Sequence, residues 1–192
     1  MAAYPYFYTL FAIWLFWLAY WIASVAFERA TNQTKGTRRK VRGTGYLFII
    51  VLLFTFSPLG SAGVFGLMFY FPSAGLKGLG LLVTSSGVGL AIWARRHLGG
   101  NWSSVPALKE GHTLVTTGPY SLVRHPIYTG IVTGLIGSAM ILGTYGSLVA
   151  IGLSVLVVAI RVRQEEGLLR EQFGEEYEDY QKKSKTMIPW LL

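Results

Sequence analysis

The stretch HTLVTTGPYSLVRHPIYTG, which runs from His112 to Gly130, decides how the rest of the chain is arranged. It is the longest polar-rich interval in a mostly apolar sequence, and it holds two of the three histidines. Gly118 and Pro119 form a tight-turn pair, and Arg124 and His125 stand directly before a proline and an apolar run. A proline is tolerated in the first turn of a helix, because its missing N–H would have no partner there. The pattern predicts a polar loop that carries a functional site and ends where a membrane helix begins.

The composition around this loop is that of an integral membrane protein. The 192 residues are 52% hydrophobic and 14% charged, and 23 of them are glycines, which are commoner in membrane helices than in soluble ones. The length predicts a single domain. The chain has no cysteine, so disulfides, thiol catalysis and zinc–thiolate sites are excluded. We interpret the formal net charge of +8 as an asymmetry across a membrane and predict no binding to nucleic acid.

The distribution of charge along the chain predicts an all-α, polytopic, multi-pass membrane protein with about five transmembrane helices. A bilayer is crossed by about 20 apolar residues. The uncharged intervals are 4–27, 43–71, 78–93, 127–142 and 147–160. Pro58 should kink or interrupt the second span, residues 72–77 are predicted as a turn, and residues 143–146 as a hairpin between the last two spans. The first interval lacks the basic start and the cleavage site of a signal peptide, so it is predicted to be a retained span.

The positive charges predict the orientation of these spans. With five spans, residues 28–42, 94–126 and 161–192 share one side of the membrane, and they hold every lysine and arginine except Lys77. Because positive charge marks the cytoplasmic face, the N-terminus is predicted outside and the polar loop and the C-terminus in the cytosol.

The tail, residues 161–185, is predicted to continue the fifth span as a charged helix that Gly174 breaks into two pieces. One apolar stripe recurs along it at spacings of three and four: Leu168, Leu169, Phe173, Tyr177 and Tyr180. The stripe could rest on the bilayer interface or cover the polar loop.

Several ionisable residues stand where the spans meet water. Arg161 and Glu165 are one helical turn apart, which suits either a surface ion pair or the binding of a charged ligand. His125 could be a helix-start residue bonded to the backbone or part of the site. No third or fourth ligand stands at a recognisable spacing from His112 and His125, so no metal site is predicted. His97 is interpreted as interface charge.

Gly130, Gly134 and Gly137 line one face of the fourth span. Such a face suits close helix packing or leaves room for a cofactor or a lipid chain. The second alternative would make this face a lateral entrance for a lipid. No glycine-rich phosphate loop follows a strand, so a Rossmann site is unsupported.

The run GPYSLVRHPIYTG, followed downstream by RVRQEEGLLREQFGEEYEDY and a final Ile-Pro, resembles the isoprenylcysteine carboxyl methyltransferase family. Related phospholipid methyltransferases share the pattern. The resemblance covers roughly residues 97–190, and the first two spans carry no family signature. It divides the single domain 1–192 into N-terminal spans, 1–96, and a catalytic region, 97–192.

The resemblance implies S-adenosylmethionine as methyl donor and S-adenosylhomocysteine as product, bound in a cytosolic pocket formed by the 97–126 loop and the C-terminal helices. Arg161 matches the family arginine proposed to hold the substrate carboxylate, and Arg161 and Glu165 are the catalytic candidates. The family often has a longer acidic run, so which of Glu165 and Glu166 contacts the cofactor is left open. The cofactor-binding candidates carried over from the family are His112, Thr113, Leu114, Val115, Tyr120, His125, Pro126, Ile127, Tyr128, Glu165 and Glu166.

The expected function is that of an integral membrane carboxyl O-methyltransferase, similar to protein-S-isoprenylcysteine O-methyltransferases, acting on a lipid-like or prenylated acceptor in a prokaryotic cytoplasmic membrane. A carboxylate is already nucleophilic at neutral pH, whereas the amine of a phospholipid must first lose a proton. The alternatives are a phospholipid (amine) N-methyltransferase, an NADPH-dependent sterol-type reductase of similar membrane fold, and a small lipid-binding or transport protein. The expected partners are the acceptor and membrane lipids, without nucleic acid or metal.

Overall fold

The computed structural model describes residues 4–31, 37–40, 63–102, 107–109 and 113–187, and most of them are helical. The helices are α1 (Tyr4–Thr31), α2 (Gly63–Gly66), α3 (Ala74–Leu98), α4 (Pro126–Leu142), α5 (Tyr145–Phe173) and α6 (Glu175–Lys183). Two short strands are β1 (Thr37–Lys40) and β2 (Ala107–Lys109), and 3-10 turns lie at Gly99–Asn101 and Gly118–Ser121.

Three of these helices are long and apolar enough to cross a membrane: Pro5–Glu28, Ala74–Asn101 and Tyr145–Phe173. Helix α4, with 17 residues, is apolar but shorter. The predicted helical membrane fold is confirmed. The predicted second span, with Pro58, lies mostly outside the described residues. Its described end, residues 63–71, is one helical turn followed by an isolated bridge at Met68 and a bend at residues 69–70, so the count of five spans stays a prediction.

One predicted boundary is wrong, and local capping explains it. Residues 74–77 form the first turn of α3 rather than a turn between spans, because the Ser73 side chain accepts a hydrogen bond from Leu76 N at 3.2 Å and caps the helix. The tail continues the fifth span as predicted, because helix α5 runs unbroken to Phe173. Gly174, at φ +50°, separates α5 from α6 as predicted.

The glycine face of α4 packs directly on α3. A Cβ added to Gly130 would lie 2.5 Å from the Gly87 carbonyl oxygen, and one added to Gly137 would lie 2.5 Å from Thr84 Oγ1. The Thr84 hydroxyl donates to the Gly134 carbonyl at 3.2 Å across the same contact. Close packing is therefore confirmed. The alternative of a lateral lipid entrance on this face is wrong, because the α3 backbone occupies it.

Helix α1 contributes a row of tryptophans to the core beside α3 and α4. Trp17 stacks on Trp21 with ring centroids 5.0 Å apart, and Trp21 meets Trp102 edge to face at 5.5 Å. Trp14 Nε1 donates to Ser138 Oγ at 2.9 Å. A buried indole N–H needs an acceptor, and Ser138 provides one on α4, so this bond fixes α1 against the shorter helix.

Strands β1 and β2 form an antiparallel pair in which Thr37 opposes Lys109. The all-α prediction did not include this pair. It joins the connector after α1 to the loop after α3, so both lie at the same end of the helical body, as the charge distribution predicts. Which side of a membrane this end faces stays a prediction.

Candidate active site

The polar loop turns into α4 through a tight corner built against His97. Gly118 has φ +60°, and a Cβ added there would lie 2.7 Å from the imidazole of His97. The same imidazole hydrogen-bonds Thr117 Oγ1 through Nε2 at 2.9 Å and stacks near Tyr120. His97 therefore supports the loop, and its interpretation as plain interface charge is wrong.

Glu165 lies at the centre of a cluster formed by α4 and α5. Tyr128 donates its hydroxyl hydrogen to Glu165 Oε1 and accepts a hydrogen bond from Arg161 Nε at 2.8 Å. Arg161 Nη2 lies 3.3 Å from Glu165 Oε1, and His125 Nδ1 lies 3.6 Å from Glu165 Oε2. The structure thus brings together four residues that the sequence analysis selected, and those on α4 are at least 33 positions away from those on α5.

Glu166, the next residue, faces a different set of partners. Its Oε1 accepts from Arg124 Nε at 3.0 Å and lies 3.4 Å from His125 Nε2. Its Oε2 accepts from Gln181 Nε2 at 3.2 Å and lies 3.7 Å from Arg170 Nη2. Both oxygens are therefore engaged by groups that connect α4, α5 and α6.

The cluster is buried but its charges are paired. The side chains of His125 and Arg161 are 4% and 5% exposed, that of Glu166 is 14% exposed, and that of Glu165 is the most open at 25%. Burial opposes the charge on His125, yet hydrogen bonds to Glu165 and Glu166 raise the pKa of His125 above its ordinary value. The two carboxylates therefore favour the protonated imidazole.

The tail covers the polar loop, which decides between the two predicted roles of its apolar stripe. Tyr177 is fully buried, and Tyr180 is buried and donates its hydroxyl hydrogen to the Tyr120 carbonyl at 2.6 Å. Burial raises the pKa of Tyr180 to about 12, so the hydroxyl stays a donor at neutral pH. Leu168 is buried in the same face.

The other cofactor-binding candidates fall into two groups. Pro126 and Ile127 are buried at the start of α4, where Ile127 belongs to the apolar core, and the Tyr120 hydroxyl donates to the Ala94 carbonyl at 3.4 Å. Thr113 is exposed and bonded to Asn101, while Leu114 and Val115 are half-buried. His112 lies outside the described residues.

The sequence analysis missed Arg124 and Gln181. Arg124 stands in the quoted motif beside His125. Its position as a basic residue at the start of a buried helix could have indicated that it belongs to the site. Gln181 gave no signal, because its partner Glu166 is 15 residues away on another helix. Among the described residues, no group of three or more histidine, aspartate and glutamate side chains could hold a metal ion.

Comparisons with known proteins show the family to which the chain belongs. The phospholipid methyltransferase family matches residues 76–176, more than half of the chain. A protein-S-isoprenylcysteine O-methyltransferase of Schizosaccharomyces pombe is 36% identical over 96 residues, which are 48% of this chain and 41% of that protein. The nickel-cobalt-cadmium resistance protein NccN of Alcaligenes xylosoxydans xylosoxydans is 32% identical over 122 residues, 62% of this chain and 52% of that protein.

A solved structure is similar as well. That of the eukaryotic intramembrane Ras methyltransferase, isoprenylcysteine carboxyl methyltransferase, has a TM-score of 0.55 and 26% identity, and the similarity covers 77% of this chain and 50% of that one. The chain spans about half the length of these relatives. The matched residues include the whole cluster around Glu165. The chain therefore belongs to the phospholipid methyltransferase family, which confirms the resemblance drawn from its motifs.

Proposed function

We propose that this chain is an integral membrane methyltransferase that uses S-adenosylmethionine and methylates a carboxylate on a lipid-like or prenylated acceptor. Family membership supports a methyl donor, and the names of the isoprenylcysteine relatives support the acceptor class. The observation that carries the proposal is the cluster of His125, Tyr128, Arg161 and Glu165 at the polar end of the helical body.

The cluster fits a cationic methyl donor. S-adenosylmethionine supplies an electrophilic methyl group on a positively charged sulfonium and carries an ammonium group beside it. Glu165 is the most open of the clustered side chains, and a carboxylate accepts more hydrogen bonds than Tyr128 and Arg161 supply. We assign the ammonium to Glu165 rather than Glu166, because the partners of Glu166 already occupy both of its oxygens.

Arg161 is assigned to the acceptor. Its guanidinium is buried and donates to the Tyr128 hydroxyl, and guanidinium groups bind carboxylates in a planar fork. Tyr128 thus joins the residue proposed for the acceptor to the residue proposed for the donor. No strong base is needed for a carboxylate, so positioning and exclusion of water supply most of the rate.

The apolar chain of the acceptor is proposed to arrive from the bilayer. Bringing it through water would cost about 0.8 kcal/mol for each CH₂ group. The glycine face is closed, whereas Leu153, Leu156 and Ile160 on α5 are exposed apolar residues that lead along the helix to Arg161. We propose that this exposed side of α5 guides the acceptor.

An amine acceptor is the second candidate, because the family is named for phospholipid methylation. Such an amine must lose a proton before it attacks. His125 is the histidine of the cluster, and the two carboxylates beside it raise its pKa. Because these carboxylates favour the protonated imidazole, which cannot accept a further proton, the surroundings of His125 favour the carboxylate acceptor.

The proposed orientation follows the positive charges. The catalytic region, 97–192, faces the cytosol of a prokaryotic cell and the N-terminus lies outside. A reporter fused after Leu192 should report the cytosol, and one inserted near Ser73 should report the opposite side. Both reporters on one side would contradict this orientation.

Purified protein and radiolabelled S-adenosylmethionine test the function. The acceptors to compare are a farnesylated cysteine with a free carboxylate, its methyl ester, and phosphatidylethanolamine, all in detergent micelles. Labelling of the free carboxylate alone is the expected result. Labelling of phosphatidylethanolamine would select the amine reaction, and binding of NADPH without binding of S-adenosylhomocysteine would select the reductase alternative.

A further inference from the structure

The Arg124 side chain joins helix α5, helix α6 and the C-terminal segment (residues 184–187). Its Nε donates to Glu166 Oε1 at 3.0 Å, and its Nη1 donates to the carbonyl oxygens of Gln181, at 3.3 Å, and Ser184. Its Nη2 donates to Thr186 Oγ1 at 2.8 Å. The side chain is only 10% exposed. Arg124 is therefore the charged link between the carboxylate of Glu166 and the end of the described chain.

The main chain of the C-terminal segment continues this link. Arg124 N donates to the Lys185 carbonyl at 2.8 Å, and His125 N donates to the Thr186 carbonyl at 3.1 Å. In the opposite direction, Lys185 N donates to the Leu122 carbonyl at 3.3 Å. The segment thus runs parallel to residues 122–125 and forms an isolated β-bridge between Val123 and Lys185, next to the start of helix α4.

The C-terminal segment holds the backbone of His125 in place. His125 is the N-cap residue of α4, at φ −124° and ψ +57°, and its side chain makes no capping hydrogen bond. Its backbone N–H is held by the segment instead, and one turn further the Thr129 hydroxyl donates to the Met187 carbonyl at 2.7 Å. The position of the imidazole between Glu165 and Glu166 therefore depends on the segment.

The same contacts lie over the Glu166 side of the site, because Arg124 holds Gln181 of α6 and Ser184 beside that carboxylate. His125 is 4% exposed although it stands at the polar end of α4, and its backbone N–H is bonded to the segment. A cavity of about 240 Å³, lined by Arg124 and residues 181–185, borders the guanidinium, and a polar cavity of that size admits water to one side of the contact. Detachment of the segment would uncover His125 and Glu166.

We propose that Arg124 is a positioning residue that locks the C-terminal segment over the active site, and that release of this lock admits the methyl donor. The lock itself is independent of the reaction. The entry of the donor rests on the proposed function. Of the contacts described, those of Arg124 bind all three of Glu166, α6 and the segment. The segment therefore opens only when the hydrogen bonds of the Arg124 side chain break.

The lock is tested by hydrogen exchange of the full chain in detergent, without cofactor. Arg124→Lys keeps the charge and loses the planar fork. Exchange of the amides of Arg124, His125 and Lys185 should then speed up roughly tenfold or more, as the loss of a charged hydrogen bond predicts. Arg170→Lys is the matched control, because Arg170 contacts the same Glu166 carboxylate at 3.7 Å but is 57% exposed. Its exchange at those amides should stay within about twofold of wild type.

Entry is tested by the rates of S-adenosylhomocysteine binding. Arg124→Lys should raise both the association and the dissociation rate, whereas a merely misfolded site would lower association. Unchanged exchange in Arg124→Lys would overturn the lock. Faster exchange with an unchanged or slower association rate would overturn the role in entry. If wild-type protein binds no S-adenosylhomocysteine, the proposed function and the entry role both fall, while the exchange result still decides on the lock.

Discussion

Helices α3 and α4 meet along a seam of glycines, whereas α4 and α5 meet at a cluster of charges. At the seam, Gly87 and Gly130 bring two backbones so close that either added Cβ would lie 2.5 Å from the opposite main chain. At the cluster, the hydroxyl of Tyr128 bridges Glu165 and Arg161, whose side chains also contact each other at 3.3 Å. One helix, α4, therefore carries two contacts of opposite chemistry at its two sides.

The difference between the glycine seam and the charge cluster indicates which contact of α4 specifies the fold and which one serves the active site. The glycines and Thr84 of the seam carry no charge at any pH, and its stability depends on close packing and on the hydrogen bond from Thr84 to Gly134. The cluster holds buried charges that a well-packed apolar contact could replace without loss of stability. Charges retained at such a place serve a ligand more plausibly than they serve the fold, and mutations on the two sides of α4 should differ accordingly.

The largest effect is expected at the seam. Gly87→Leu must push α3 away from α4, because its Cβ meets the Gly130 carbonyl and the Gly134 amide, and overpacking costs about 1–3 kcal/mol, occasionally more when backbone must move. Thermal unfolding in detergent should show a large loss for Gly87→Leu. Gly89→Leu, two residues away with nothing within 4 Å, is the control and should unfold near the wild-type temperature. Equal losses in the two variants would mean that the seam is not a close contact.

The next effect is expected on ligand affinity at the cluster. Glu165→Gln should weaken S-adenosylhomocysteine binding by about 1.5–3 kcal/mol, the range for a hydrogen bond to a charged group. Glu166→Gln should weaken it less, because Glu166 faces Arg124 and Gln181 rather than open space. Calorimetric titration of both variants measures the difference. A greater loss of affinity in Glu166→Gln would reverse the assignment of the two glutamates.

A smaller effect is expected from the tyrosine between the two assigned roles. Tyr128→Phe removes the hydroxyl that accepts from Arg161 and donates to Glu165. Turnover of the acceptor should fall roughly tenfold, which is about 1.4 kcal/mol. The affinity for S-adenosylhomocysteine should fall less than turnover, since Glu165 keeps its contacts with Arg161 and His125. An unchanged turnover would show that the hydroxyl does not couple the two residues.

The sequence predicts the membrane helices and part of the cluster, because both follow from local patterns. Uncharged intervals mark the spans, and a spacing of four residues on one helix places Arg161 beside Glu165. Gly174 interrupts the charged helix of the tail, and this glycine in the sequence predicts the end of α5. The turn at residues 72–77 was mispredicted, because Ser73 acts as a helix cap.

The contacts between distant parts of the chain could not be predicted. Glycine spacing shows that α4 has a bare face, but not that Gly87 of α3 fills it. Arg124 meets the Gln181 carbonyl across 57 residues, and that approach exists only once α6 folds back over the loop. The sequence motif contains Arg124, yet its role depends on main-chain groups that carry no sequence signal.

The smallest effect is expected from a change of pH on the unfolding temperature. It distinguishes the two contacts of α4, because the charge cluster contains a titrating histidine and the glycine seam does not. His125 has a raised pKa because two carboxylates outweigh its burial. A group whose pKa is raised by folding contributes stability that is fully present below its unfolded pKa of about 6.5 and is lost as pH rises through the folded value. The unfolding temperature of wild-type protein should therefore fall as pH rises above about 6.5. The His125→Gln variant should have a lower unfolding temperature at acidic pH and should not show this decrease with rising pH. The Gly89→Leu variant should show the same decrease as wild type, because a substitution outside the cluster leaves the titration of His125 intact. A slope that persists in His125→Gln would assign the pH dependence to another group and leave the histidine neutral between its two glutamates.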